Sequence, residues 1–141
     1  MSLPPPIEGI VETILYVEDL PRAIAFYRDV LGLPPMTGDA ARFQAFKAGG
    51  RQVLLLFKQG ATLAPTPVPG GIIPPHDGNG PQHIGFAVTH EAYDQWREQL
   101  RARGIKVESE TTWARGGRSL YFRDPDNHLL ELVTPGIWPN Y

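Results

Sequence analysis

The order of apolar and polar residues is the same in the two halves of the chain. Each half begins with a short β-rich segment and continues with apolar residues at helical spacing, until a glycine ends the helical stretch. Glu12 aligns with His83 at an offset of 71 residues, and Gly32 aligns with Gly104 at an offset of 72. The two halves therefore run in register, which predicts an internal structural repeat.

The spacing predicts one helix and about three strands in each half. The first helix covers residues 20–31, with Asp19 as its N-cap and Gly32 as its stop. In the second half an apolar stripe from Tyr93 to Leu100 predicts the equivalent helix. The clearest strands are residues 10–17, 42–48, 51–58, 83–88, 118–123 and 128–134. We expect two βαβββ modules in one α+β domain.

The segment between the halves, residues 59–82, is rich in proline and glycine, which opposes both a helix and a central strand. We interpret it as a connector that also forms a wall of a site, and a disordered linker is the alternative. Residues 1–141 then form one domain, with module one at about 8–58 and module two at about 83–134.

Composition narrows the class of protein. The chain has 141 residues, of which 42% are hydrophobic and 20% charged, as in an ordinary globular domain. A net charge of -2 gives no reason to expect nucleic acid or an anionic membrane as partner. No cysteine is present, so disulfides and thiolate chemistry are excluded. No apolar run approaches the roughly 20 residues needed to span a bilayer and no signal-peptide pattern is visible, so we expect a cytoplasmic protein with a small-molecule partner.

Two motifs resemble the vicinal-oxygen-chelate superfamily, which includes glyoxalases, bleomycin-resistance proteins and dioxygenases. The first is VEDL at 17–20 followed by AFYRDVLGL at 25–33, and it resembles the start of a first module. The second is GRSLYFRDPDNH at 117–128 followed by Glu131 and Leu132, and it resembles the end of a second module. The resemblance implies that the modules form a curved, partly open mixed β-barrel with a metal ion in its concavity.

The same resemblance implies the metal ligands Glu12, His83 and Glu131, with Leu54 or Leu55 at the fourth ligand position. A carboxylate among apolar strand neighbours is costly to bury unless it is paired or metal-bound. The alternatives are exposed glutamates, an arginine partner for Glu12, and a hydrogen-bonded core histidine. Nitrogen and oxygen ligands without sulfur suit one divalent ion: Mn, Fe, Ni, Co or Zn.

Two residues are candidates for catalysis. Glu12 is a candidate general base when it is loosened from the metal. Tyr121 matches a pocket tyrosine of the fosfomycin-resistance branch. It faces Glu131 if five residues connect the last two strands, and it turns away if four do, because a one-residue slip reverses the face. A tyrosine packed in the core is the alternative.

Candidate substrate-binding residues lie around these positions. Arg115 and Arg118 are suited to an anionic substrate group, or they are solvated surface arginines. A flat aromatic ligand would lie between Phe57, Trp113 and Tyr121. The remaining histidines are interpreted as solvated surface residues, namely His76, His90 and His128. His76 is the one to reconsider if the connector folds over the pocket.

Together these features favour a divalent-metal-dependent enzyme that acts on a small oxygen-chelating substrate, with isomerase or lyase chemistry. The alternatives are a fosfomycin-resistance-like thiol transferase, an extradiol-type dioxygenase and a drug-sequestering protein without catalysis. The dioxygenase chemistry prefers two histidines and one carboxylate, the opposite of the ratio here. Because two modules leave sheet edges and a pocket open, we expect a homodimer.

Overall fold

The computed structural model describes residues 2–141 and contains two four-stranded sheets, each with one helix. Module one consists of β1 (Glu12–Val17), α1 (Leu20–Asp29), β2 (Pro35–Asp39), β3 (Phe43–Lys47) and β4 (Val53–Lys58). The connector contains β5 (Thr66–Val68) and β6 (Gly71–Ile73). Module two consists of β7 (His83–Ala87), α2 (Tyr93–Ala102), β8 (Ser109–Thr112), β9 (Arg118–Arg123) and β10 (Leu129–Val133).

The two sheets have the same strand order, β1-β4-β3-β2 in the first sheet and β7-β10-β9-β8 in the second. In each sheet the first and last strands of the module are parallel neighbours, and the other pairs are antiparallel. Neither sheet closes on itself. This arrangement confirms the predicted α+β fold of two βαβββ modules.

The first helix begins and ends close to where the sequence predicts. The Asp19 side chain accepts a hydrogen bond from the backbone N–H of Arg22 at 3.1 Å, which caps the helix start. Gly32 has a φ of 69°, a left-handed conformation that glycine adopts without strain. The regular helix ends at Asp29, two residues before the predicted bound.

Each sheet has one covered face and one open face. Along β1 the side chains of Leu15 and Val17 are buried, whereas Ile14 and Tyr16 are half-buried and Glu12 is exposed. This alternation follows from the two-residue repeat of a strand. The covered faces share one core, whose largest buried members are Tyr27, Tyr93, Phe46, Phe122, Leu15, Leu20, Leu54, Leu56, Leu100, Leu120, Leu130 and Leu132.

The hairpin turn between β9 and β10 joins the two modules. The buried His128 ring accepts a hydrogen bond from the backbone N–H of Gln82 at 2.9 Å, and its Nε2 donates to the carbonyl of Tyr16 at 2.8 Å. The prediction that His128 is a solvated surface residue is therefore wrong. Backbone groups that are withdrawn from water at the module junction need partners, and the imidazole supplies one to each.

The connector is ordered and folds back onto the first sheet. Its backbone is fixed where His76 N–H donates to the carbonyl of Thr62 at 3.0 Å. The hairpin β5–β6 differs from the expected loop. It tolerates Pro67 because a two-stranded hairpin consists only of edge strands. No helix within residues 2–141 is long and apolar enough to cross a membrane.

Candidate metal centre and cavity

His83 and Glu131 meet on the open face of the second sheet. They lie on the parallel neighbours β7 and β10, where Glu131 pairs with Gly85. His83 is two residues before Gly85 and therefore points to the same face of the sheet. His83 Nε2 lies 3.3 Å from Glu131 Oε1. The pairing of module one places Ile14 opposite Leu55 in the same way, so Leu55 is the counterpart of Glu131 in the repeat.

The hydrogen bonds of His83 leave a lone pair directed at Glu131. His83 Nδ1 lies 2.8 Å from the carbonyl oxygen of Leu129, and a carbonyl only accepts, so Nδ1 carries the hydrogen. In the neutral ring Nε2 is then an acceptor that faces a carboxylate oxygen. Either a proton on Nε2 or a divalent cation between the two atoms satisfies both, and an Nδ1–H held by a backbone carbonyl is the orientation of a metal-ligating histidine. The donor set therefore fits a divalent metal.

The second oxygen of Glu131 is held by two hydroxyl groups. Ser119 Oγ lies 2.5 Å from Oε2 and Tyr121 Oη lies 3.3 Å from it. Five residues, 124–128, connect β9 to β10 and place Tyr121 opposite Glu131, which confirms the conditional prediction for this tyrosine. Burial and the charge of Glu131 raise the pKa of Tyr121 above its ordinary value, so its hydroxyl remains a donor at neutral pH.

A cavity of about 570 Å³ opens above this pair. It is lined by His83, Gly85, Ala87, Trp113, Tyr121, Glu131, Val133, Ile137, Trp138, Asn140 and Tyr141. The C-terminal segment is held there by Tyr141, whose hydroxyl donates to the carbonyl of Val133 at 3.0 Å. No lysine or arginine is among these lining residues. The cavity thus combines two metal-ligand candidates with an aromatic and aliphatic wall.

Glu12 lies elsewhere in the same chain. Among residues 2–141 no three His, Cys, Asp or Glu side chains are grouped closely enough to hold a metal ion. The backbone N–H of Tyr16 lies 3.4 Å from Gln82 Oε1, so the end of β1 is the part that meets the start of β7. Glu12 is four residues before Tyr16 on the same strand, which places it about 13 Å from this meeting point. The structure brings together His83 and Glu131, and within one chain it does not add Glu12.

Phe57 lies on the open face of the first sheet, in an aromatic cluster separate from the cavity. Its ring centroid is 5.4 Å from Phe43, 6.5 Å from Tyr16 and 4.7 Å from His76. His76 Nδ1 also lies 2.7 Å from the Tyr16 hydroxyl. Burial and the charge of Asp77 raise the pKa of Tyr16. The connector therefore does fold over an open face, and His76 is a half-buried member of this cluster.

The two candidate arginines lie outside the cavity wall. The Arg118 guanidinium lies 3.9 Å from the ring centroid of Tyr93 and 3.5 Å from Asp94, on the face opposite to Tyr121. Burial and a hydrogen bond to Glu110 raise the pKa of Tyr93 to about 12. Arg115 is exposed in the turn between β8 and β9. Of the five proposed substrate-binding residues, only Trp113 and Tyr121 line the cavity.

Sequence reasoning missed several residues around the cavity. Ser119 is two residues before Tyr121 on a strand, so the alternation of faces was a signal that it would point at Glu131. Trp138 and Tyr141 follow the last strand, where no periodicity indicates a direction. Their place on the cavity is a property of the folded chain and not of a local pattern.

A profile of the Glyoxalase/Bleomycin resistance protein/Dioxygenase superfamily matches residues 9–132, which is most of the chain. The chain belongs to this superfamily. The repeated strand order of its two modules agrees with this membership.

The relatives that the chain resembles are named for different activities. The chain is 30% identical over 129 residues to the fosfomycin resistance protein FosX of Listeria monocytogenes, covering 89% of both chains. A lactoylglutathione lyase from Agrobacterium tumefaciens superposes with a TM-score of 0.85 at 34% identity, covering 96% of this chain and 99% of that one. A variant of Listeria FosX, determined with Mn(II) and 1S,2S-dihydroxypropylphosphonic acid, has a TM-score of 0.65 at 26% identity and covers 89% of both chains.

Proposed function

We propose that this chain is a divalent-metal-dependent lyase or isomerase of the glyoxalase superfamily that works as a homodimer. In each of its two sites Glu12 of one copy joins His83 and Glu131 of the other and completes a three-residue metal site. The substrate is a small molecule that presents two neighbouring oxygens to the metal. Tyr121 and Glu12 act on it.

The single observation that carries the metal site is the contact between His83 and Glu131. Their facing atoms, Nε2 and Oε1, lie 3.3 Å apart, while Nδ1 and Oε2 are already engaged by Leu129, Ser119 and Tyr121. Two ligands leave a first-row divalent ion short of protein donors. A carboxylate from a second copy supplies the third.

The open faces support a shared site. Glu12 and the aromatic cluster lie on one open sheet face, and the cavity lies on the other. Beside Glu12, the apolar residues Ile7, Ile10 and Val11 are 90%, 76% and 63% exposed. An apolar strip of this kind next to an open face is typical of a surface that a partner covers. We propose that a second copy packs there, with its cavity over Glu12.

The metal would supply Lewis-acid stabilisation of the negative charge that develops on a substrate oxygen. Glu12 would be the general base that takes a proton from the substrate carbon. The Tyr121 hydroxyl bonds only weakly to Glu131, at 3.3 Å, so it is free to donate to a substrate oxygen instead. The aromatic and aliphatic wall would limit the access of water to the reacting groups once a second copy covers the cavity.

A fosfomycin-modifying activity is the second candidate. It is favoured by the likeness to FosX over 89% of both chains and by Tyr121 in the cavity. The cavity wall weighs against it, because a phosphonate carries negative charge and no lysine or arginine is among the described lining residues. A substrate that is held mainly by the metal and by aromatic contacts fits this wall better.

Subunit mixing tests the shared site. Glu12→Gln weakens binding of Mn²⁺ because it removes the charge of one ligand, and His83→Ala abolishes it. A heterodimer of the two variants, isolated with two tags that do not bind metal, has one site with all three ligands and one site with neither Glu12 nor His83. We expect it to retain one Mn²⁺ per dimer by elemental analysis, against two for the wild type.

The wild type and the two variant homodimers serve as the controls for that measurement, and the Glu12→Gln homodimer must retain less Mn²⁺ than the heterodimer for the shared site to hold. A heterodimer that retains no tightly bound metal contradicts the shared site, and wild-type protein that retains none contradicts the metal-dependent function. The reaction class is then tested by incubating the Mn²⁺-loaded wild type with lactoylglutathione or with fosfomycin. Turnover of fosfomycin and not of lactoylglutathione would favour the second candidate.

A further inference from the structure

The buried hydroxyl of Ser119 connects Glu131 to the indole of Trp113. Trp113 Nε1 lies 2.8 Å from Ser119 Oγ, and Ser119 Oγ lies 2.5 Å from Glu131 Oε2. Ser119 is 0% exposed and Glu131 is 8% exposed, so water does not compete for these contacts. These three side chains form one continuous line of hydrogen bonds, which we call the donor chain.

The direction of the donor chain follows from chemistry. An indole N–H only donates, so the Ser119 oxygen accepts from Trp113 and its own hydrogen points at Glu131. Oε2 of Glu131 therefore accepts from Ser119, and it also accepts from Tyr121 at 3.3 Å. With Oε2 occupied, the free lone pairs of the carboxylate are on Oε1, which faces His83 Nε2.

The indole itself is fixed by the turn that carries it. The backbone N–H of Trp113 donates to the carbonyl of Gly117 at 2.7 Å, and the backbone N–H of Gly117 donates to the carbonyl of Gly136 at 3.2 Å. A Cβ on Gly117 would lie 2.6 Å from the backbone of Gly136, so these two segments touch directly. The turn is thus held against the C-terminal segment, and the donor chain begins from a rigid point.

We propose that Trp113 and Ser119 are positioning residues that orient Glu131, so that Oε1 alone is presented to the metal as a single-oxygen ligand. Trp113 then acts through Ser119 as well as lining the cavity. This inference rests on the proposed function, because it assigns a purpose to the donor chain in metal binding. It adds two residues that act through Glu131 and are not themselves metal ligands.

Ser119→Ala removes the link and leaves the carboxylate free to rotate. Loss of a hydrogen-bond partner behind a metal ligand lowers metal affinity by about 10- to 100-fold, so we expect the Kd for Mn²⁺ to rise by that factor in calorimetric titration. Trp113→Phe keeps an aromatic side chain but removes the N–H together with part of the indole, and it should raise the Kd by less because Ser119 still donates to Glu131. Thr134→Val is the matched control, because it removes another buried hydroxyl that accepts from Arg118 N–H and does not contact Glu131.

A crystal structure of metal-free Ser119→Ala separates this inference from the proposed function. We expect the carboxylate of Glu131 to turn and the 3.3 Å contact between Oε1 and His83 Nε2 to be lost. In Thr134→Val the orientation of the carboxylate and this contact should both be unchanged. That result supports the orienting role even if the wild type binds no Mn²⁺, in which case the proposed function alone fails. An unmoved carboxylate in Ser119→Ala, or an unchanged Kd for Mn²⁺ where the wild type binds it, overturns the inference.

Discussion

At Asp124 burial and hydrogen bonding shift the pKa of the carboxyl group in opposite directions. Its side chain accepts from the Tyr27 hydroxyl at 2.7 Å and from the backbone N–H groups of Asp126 and His128 at 2.9 and 2.8 Å. It is only 5% exposed, and desolvation outweighs these bonds, so the pKa of Asp124 is raised above its ordinary value of 3.8. The turn that joins the modules therefore contains a carboxylate whose ionised form is destabilised by burial.

This balance predicts a pH dependence of stability. Because the folded chain holds the Asp124 proton at higher pH than the unfolded chain does, the contribution of Asp124 is greatest below 3.8 and is lost as pH rises through its raised folded-state pKa. Asp124→Asn mimics the protonated form and has no such titration. We expect the free energy of unfolding of this variant, relative to the wild type, to increase with pH in denaturant titrations. Parallel pH profiles for the two proteins would contradict this.

At the scale of elements, the sequence predicts the strands that have one covered face and misses those that have none. Residues of β2 are all exposed and those of β8 nearly so, because both are edge strands outside the core. Their sequences show no apolar alternation. The internal repeat therefore predicted about three strands after each helix, but it did not give residue bounds for these two strands. The helices and the other six strands of the two sheets were predicted to within two residues at each bound.

The connector approaches the first sheet most closely at Gly78, next to the contacts that His76 makes. A Cβ on Gly78 would lie 2.5 Å from the ring of Tyr16, which His76 and Phe57 hold in place. Gly78→Ala should therefore displace the connector and lower the free energy of unfolding by about 1–3 kcal/mol. Gly71→Ala is the matched control, because nothing lies within 4 Å of its Cβ position. Equal unfolding free energies for the two variants, measured by urea titration, would refute the contact.

At the scale of the whole molecule, the sequence predicts which side chains share a face but not which copy of the chain a face meets. His83 and Glu131 come together because β7 and β10 are neighbours within one sheet. Glu12 belongs to the other sheet, and no local pattern states whether the two open faces meet within a chain or between copies. The metal site as a set of three therefore remains a prediction that depends on assembly.

The assembly itself is testable at Ile10, which is 76% exposed and two residues before Glu12. Burying an isoleucine contributes about 1.5–3 kcal/mol, and a symmetric dimer buries it twice, so Ile10→Asp should raise the dimer dissociation constant by at least about 100-fold. Sedimentation velocity at micromolar concentration should then show monomer, with Mn²⁺ lost in parallel. Gln95→Glu adds a similar charge on α2, away from both open faces, and should leave the dimer intact. A stable Ile10→Asp dimer that retains Mn²⁺ would exclude this strip from the interface and remove the support it gives to the shared site.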